Sequence, residues 1–165
     1  MGVSGSGKSS FGLAMAAALR LPFVDGDDLH SPDNVRKMSR GVPLDDEDRR
    51  SWLDIIAAKL GDSQVYCDGV VVACSALKLA YRDRLRSAAA VRFIFLDADA
   101  VLVTNRLAGR TQHFMPQSLI KSQFNALERP TSAETDVLTL PAAMPIEIAV
   151  AAARAYFSAE TPLED

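Results

Sequence analysis

Eight residues at the start of the chain have the types and the spacing to hold a polyphosphate. Gly2-Val3-Ser4-Gly5-Ser6-Gly7-Lys8-Ser9 fits G-x-x-x-x-G-K-[ST] at every fixed position. The glycines let backbone N–H groups curl around phosphate oxygens. Lys8 reaches the β- and γ-phosphates of ATP, and the Ser9 hydroxyl is placed to ligate Mg²⁺. A helical pattern begins at once, adding the positive end of a helix dipole to the anion site. A second cluster, Asp25-Gly26-Asp27, follows the apolar run Leu21-Pro22-Phe23-Val24. Beyond the carboxyl end of a strand in a parallel sheet, these carboxylates fall where ligands bind. Asp25 can support the metal through water, and Asp27 can orient or deprotonate an attacking hydroxyl.

Several basic residues fall in places that suit anion binding. Arg49 lies at the start of the helix that carries Trp52, and its guanidinium can grip a carboxylate through two parallel hydrogen bonds. On a solvated face it would instead pair with Asp45, four residues earlier. Lys78 and Arg82 sit four apart after the run Gly69–Ala76, and Arg106 and Arg110 are also four apart. Arg110 opens the irregular segment Arg110–Met115. An arginine there can neutralise phosphate charge on closure, with Arg106 toward the nucleotide. Arg84 and Arg86 read as solvated, and Trp52 as a core residue.

The elements that must position these groups alternate. Helices are expected over Gly7–Arg20, from Ser31-Pro32 to Gly41, from Asp45 to Leu60, and over Leu79–Ser87, Ala100–Ala108, Pro116–Glu128 and Ile146–Ser158. Phe11, Met15, Ala18 and Leu19 should bury one stripe of the first. Trp52, Ile55, Ile56 and Leu60 should bury one face of the third. Strands are expected over Leu21–Val24, Gly69–Ala76 (buried on both faces), Val91–Leu96 and Val137–Leu140. This alternation predicts a three-layer α/β domain with a parallel sheet. No linker or repeat divides it, so residues 1–165 read as one unit. Such a phosphate loop should follow a buried strand, and only Met1 precedes it here. That strand is expected upstream, with an internal methionine taken as the start.

The segments MGVSGSGKS, DGDDLHSPDNVRKMSRGVPLDDEDRRSWL, CSALKLAYRDRLR and RTQHFM resemble the gluconokinases, the small thermoresistant-type gluconate kinases, from Met1 to about Leu140. The resemblance implies a P-loop, nucleoside-monophosphate-kinase-like fold in which ATP and D-gluconate give ADP and 6-phosphogluconate. It implies an acceptor-closing segment at about 31–60 and a lid at about 106–116. A polyol with a carboxylate needs cations at one end and hydrogen-bonding groups along its hydroxyls. Asp27, His30, Arg49, Lys78 and Arg82 become the expected substrate residues. Lys8, Asp27 and Arg110 are the expected catalytic set, Ser9 and Asp25 the metal residues, and Gly2 to Ser9 with Arg106 the nucleotide contacts.

The totals agree with a small-molecule enzyme. Charged residues make up 24% of the chain at a net charge of −3, with no basic stripe, which argues against a nucleic-acid partner. No apolar run approaches the roughly 20 residues of a membrane helix, and a cytoplasmic location is expected. Cys67 and Cys74 read as free thiols, and the sequence leaves a homodimer open. A GTPase would need N-K-x-D and D-x-x-G, which are absent. Two alternatives stay open. One is another small-molecule kinase such as a shikimate kinase, although a glycine triplet would then replace Cys74-Ser75-Ala76. The other is a nucleotide-binding protein without turnover.

Overall fold

In the computed structural model, which describes residues 1–62, 64–66, 68–108 and 117–159, the first three helices start where the sequence supplies a cap. Helix α1 (Lys8–Leu19) begins on Gly7, whose φ of 100° lies in the left-handed region that favours glycine. Helix α2 (Pro32–Ser39) has proline in its first turn, and its Ser31 cap hydroxyl accepts from the Asn34 N–H. Helix α3 (Asp46–Gly61) opens on a reciprocal capping box in which Asp45 and Asp48 each accept from the other's backbone N–H. Helices α4 (Leu79–Arg86), α5 (Ala100–Ala108), α6 (Gln117–Ala126) and α7 (Ile146–Ala159) follow the expected order. Among the described residues no helix is long and apolar enough to cross a membrane.

Two of the expected apolar stripes are shifted. On α1 the buried residues are Phe11, Gly12, Met15 and Ala16, while Leu19 is exposed. On α3 they are Trp52, Leu53 and Ile56, with Ile55 exposed. At about 100° per residue, Leu53 falls on the same stripe as Trp52 and Ile56, and Ile55 falls beside it. Helix periodicity was legible, but its phase was set by the packing.

The strands are parallel, as expected, but form two separate pairs. Strand β1 (Phe23–Asp25) runs beside β2 (Val71–Ala73), with Phe23 opposite Val71. Strand β3 (Phe93–Asp97) runs beside β4 (Val137–Pro141), with Phe93 opposite Val137. The backbone of Met1 and Gly2 lies between the pairs and bonds to both. The Gly2 N–H donates to the Ser75 carbonyl at 3.1 Å, just past β2. On the other side the Met1 amine donates to the Ile94 carbonyl at 2.5 Å and the Leu96 N–H donates to the Met1 carbonyl at 3.0 Å. The order across the molecule is therefore β1, β2, Met1–Gly2, β3, β4.

A cavity of about 800 Å³ continues from Met1 between β2 and β3. Its walls include Met15 of α1, Ile56 of α3, Leu85 of α4 and Phe157 of α7. It separates two apolar cores. One joins Phe11 and Met15 to Leu96, Leu140, Ala149 and Ala153; the other joins Trp52, Leu53 and Ile56 to Tyr81, Leu85 and Phe93. These cores cover opposite faces of the strands and make the three layers. Val71 and Val72, expected to be buried on both faces, are only half-buried because they border the cavity.

Candidate functional site

The phosphate loop runs from the end of the Met1–Gly2 bridge into α1. Arg106 on α5 holds it from one side, donating to the Ser6 carbonyl at 2.8 Å and to the Ala142 carbonyl at 2.7 Å. Gln123 on α6 holds it from another, its side-chain oxygen accepting from the buried Ser4 N–H at 2.7 Å. The Lys8 ammonium donates to the Val3 carbonyl at 3.0 Å, so it folds back over the loop. Burial pushes the Lys8 pKa below its ordinary value, and the charges of Asp27, Cys74 and Asp25 oppose that shift.

Asp25 ends β1, and Asp27 sits in the single 3₁₀ turn Gly26–Leu29 that follows. The Asp25 carboxylate accepts from the Asp27 N–H at 3.1 Å and closes the turn. Gly26 is wedged against β2: a Cβ there would lie 2.6 Å from the Ala73 carbonyl oxygen. Only glycine permits that approach. The buried Trp52 indole N–H donates to the Gly26 carbonyl at 2.6 Å. The indole stacks on His30, with ring centroids 4.6 Å apart and planes 10° from parallel. Trp52 is a core residue, as expected, but its two polar and aromatic contacts were not legible. The His30 Nδ1 is buried with no hydrogen-bond partner among the described residues. Burial lowers the pKa of the imidazole, Asp27 opposes that, and Arg49 adds to it.

Arg49, Lys78, Tyr81 and Asp46 line a second cavity of about 580 Å³ at the start of α3. The Lys78 ammonium donates to both Asp46 oxygens, at 2.6 and 2.8 Å, and the Tyr81 hydroxyl donates to the same carboxylate. These partners hold the Asp46 carboxyl below its ordinary pKa, Lys78 contributing most. Burial, then Asp46, pushes the Tyr81 phenol upward. Arg49 is half-buried, and no carboxylate among the described residues lies in ion-pair range of it. Asp45 does not pair with Arg49; its carboxylate caps α3 and faces Lys37.

A phosphate loop, an acidic turn at the end of β1 and a cavity at the start of α3 lined by both cations and carboxylates are parts that a small-molecule kinase needs. The family description for shikimate kinase matches residues 4–142. The thermosensitive gluconokinase of Escherichia coli K12 is 47% identical over 146 residues, spanning 85% of this chain and 75% of its own. The chain belongs to the gluconokinase family. The solved gluconokinase of Sinorhizobium meliloti 1021 is 43% identical, with a TM-score of 0.80 over 97% of this chain and 95% of its own. A sugar kinase from Janibacter sp. HTCC2649 gives 38% identity and a TM-score of 0.88, covering 96% and 91%.

Set in this gluconokinase-family scaffold, Arg82 has a different place from the one expected. It is buried, donating through Nε and Nη2 to the two Glu134 oxygens at 2.6 and 2.7 Å. Its Nη1 donates to the carbonyls of Ala76, Leu77 and Glu128 at 3.1–3.3 Å. Ala76 has φ 40°, a left-handed conformation costly for alanine, and its carbonyl is one that Arg82 fixes. Four apart on one helix put Lys78 and Arg82 close in sequence, but burial turned Arg82 inward. Arg86, expected in solvent, pairs with Asp136 and Glu134 at 2.8 Å and lies over the Phe93 ring.

Gln123 and Trp52 were missed as site residues, because a glutamine or tryptophan on an amphipathic helix carries no local signal of what it touches. Arg110, His113 and the rest of 109–116 lie outside the described residues, as does Cys67. Cys74 is a buried free thiol. Among the described residues no three His, Cys, Asp or Glu side chains gather as a metal site. The oxygen donors of Ser9, Asp25 and Asp27 suit Mg²⁺, which takes one or two protein ligands and completes its shell from phosphate and water.

Proposed function

We propose that the protein transfers the γ-phosphoryl group of ATP to the terminal hydroxyl of D-gluconate, giving 6-phosphogluconate. The observation that supports this reading best is that Trp52 ties the Gly26 turn carrying Asp27 to helix α3, which brings Arg49, without an ion-pair partner among the described residues, to the wall of a cavity. The Gly2–Ser9 loop and Lys8 hold the phosphates, and Arg106 braces the loop beside the nucleotide. Ser9 and Asp25 would hold Mg²⁺, which neutralises phosphate charge. Asp27 orients the reacting hydroxyl and takes its proton as the oxygen–phosphorus bond forms and the bridging bond to ADP breaks. Arg49 holds the gluconate carboxylate, His30 bonds a hydroxyl, and Lys78 lies at the cavity wall. Arg110 is assigned to the phosphates from its place in the sequence. Arg82 is reassigned from the substrate to the framework.

The reading is tested by coupled ADP release over gluconate, glucose, shikimate and nucleoside monophosphates. Gluconate should be preferred over each, and Lys8→Ala should remove nearly all of the turnover. Shikimate as the preferred acceptor would overturn the assignment. Lys8→Ala retaining a tenth of the turnover would place the phosphates elsewhere.

A further inference from the structure

We propose that Trp52 is a positioning residue that sets the distance between the two ends of the acceptor site. The inference rests on the roles given above to Asp27 and Arg49. Asp27 is exposed, and its carboxylate has no hydrogen-bond donor among the described residues. Its location therefore comes from the backbone of its turn. That turn is held on one side by Gly26 against the end of β2 and on the other by the Trp52 N–H on the Gly26 carbonyl. The same indole stacks on His30, three residues beyond Asp27. Trp52 thus touches the residue before Asp27 and the histidine after it. It belongs to α3, one turn beyond Arg49, so the helix that carries the carboxylate-binding cation is tied to the turn that carries the base.

The consequence is a fixed span. In the roles given above, a linear sugar acid bridges Arg49 and Asp27, so acceptors of different chain length meet the same span with different fit. Loosening the tie should cost alignment of the reacting hydroxyl before it costs binding, because small displacements of a reacting group lower rate steeply. It should also weaken the preference for six carbons over five.

Trp52 is the only tryptophan in the chain, so growth on benzothienylalanine, an isostere with sulfur in place of the indole N–H, changes this contact alone. Loss of one neutral hydrogen bond predicts a fall in kcat with gluconate of about three- to tenfold. The ATP KM should stay near that of the unsubstituted protein, the melting temperature should fall by no more than the few degrees one buried hydrogen bond carries, and the ratio of gluconate to five-carbon aldonate kcat/KM should narrow. Trp52→Phe, which keeps a stacking ring but leaves space in the core, should show the same kinetic pattern with a larger fall in melting temperature. An unchanged kcat and unchanged chain-length selectivity in the benzothienyl protein would overturn the proposal. So would a loss shared equally with the ATP KM, which would mark a general structural role. Asp27→Asn measured beside it separates the two readings. Full turnover in Asp27→Asn sinks the role of Asp27 itself; lost turnover there with full activity in the benzothienyl protein sinks only Trp52.

Discussion

Replacing Arg82 by alanine should unfold the protein more readily and do little else that is specific to substrate. The Glu134 carboxylate opposite it is only 9% exposed. Arg82, more than Arg86, holds its pKa down to about 2 from 4.5. At about 1.4 kcal/mol per pH unit, that displacement carries about 3 kcal/mol of stability. Removing one member of a buried ion pair typically costs about 3–5 kcal/mol, because the other is left uncompensated. The carbonyls of Ala76, Leu77 and Glu128 lose their donor as well. Against a domain stability of about 5–15 kcal/mol, the expected loss is about a fifth or more. The melting temperature should fall by about 6–20 °C at about 2–4 °C per kcal/mol.

The assay is urea and thermal unfolding by circular dichroism at pH 7, beside gluconate and ATP kinetics below the melting range. The pH dependence adds an independent check. A carboxyl whose folded pKa is depressed contributes fully above its unfolded value of 4.5, and the contribution is lost as pH falls toward 2. The parent protein should lose stability across that window, and Arg82→Ala should lose less of it. A variant that melts like the parent but needs tenfold more gluconate would refute this reasoning and return Arg82 to the substrate.

Asp27→Asn should lower kcat far more than it weakens ATP binding; an equal loss of ATP affinity by calorimetry would move Asp27 to the metal. Arg49→Ala should raise the gluconate KM by about 10- to 150-fold, the typical cost of a charged hydrogen-bonding partner of about 1.5–3 kcal/mol, and should blunt selectivity over uncharged glucose. Steady-state kinetics unchanged by Arg49→Ala would assign the carboxylate to Lys78. Joining about five apolar, β-branched residues ahead of Met1 should fill the cavity between β2 and β3 and raise the melting temperature. Three or four such side chains at about 1.5–3 kcal/mol each exceed half of a typical domain's stability, so equal melting of extended and parent chains would show that the slot takes no strand.

What could be read from residue order alone was whatever depends on local chemistry. Ser31-Pro32 and the acidic run at Asp45 announced their helices because caps act within four residues. The phosphate loop and the acidic turn were legible because their glycines and carboxylates are contiguous in the chain. Arg82 and Arg86 were misread for the opposite reason. Their partners Glu134 and Asp136 lie about 50 residues away, and no spacing rule reports on them. The Gln123 contact with Ser4 spans 119 residues and is equally silent in sequence. The Gly69–Ala76 run was read as a strand, but only Val71–Ala73 pairs as one, since one edge meets β1 and the other faces the cavity.

The same distinction decides which cation is available to an anionic acceptor. Three candidates stood together in the sequence, and the structure separates them by what already neutralises each. Arg82 is buried against Glu134, so an incoming carboxylate would have to displace a desolvated ion pair. Lys78 is matched by Asp46, whose carboxylate also takes the Tyr81 hydroxyl; a second carboxylate there would meet an existing negative charge. Arg49 borders the same cavity without such a partner among the described residues, and its charge already bears on His30 and Asp46. Binding an anion at Arg49 breaks no pair, and the guanidinium is half-buried, where a charged hydrogen bond is screened less than in bulk water. Under the proposed function, carboxylate recognition is therefore assigned to Arg49. On that proposal Asp46 would have a second effect, disfavouring acceptors that carry additional negative charge near Lys78 and so favouring a singly charged acid over its phosphorylated relatives.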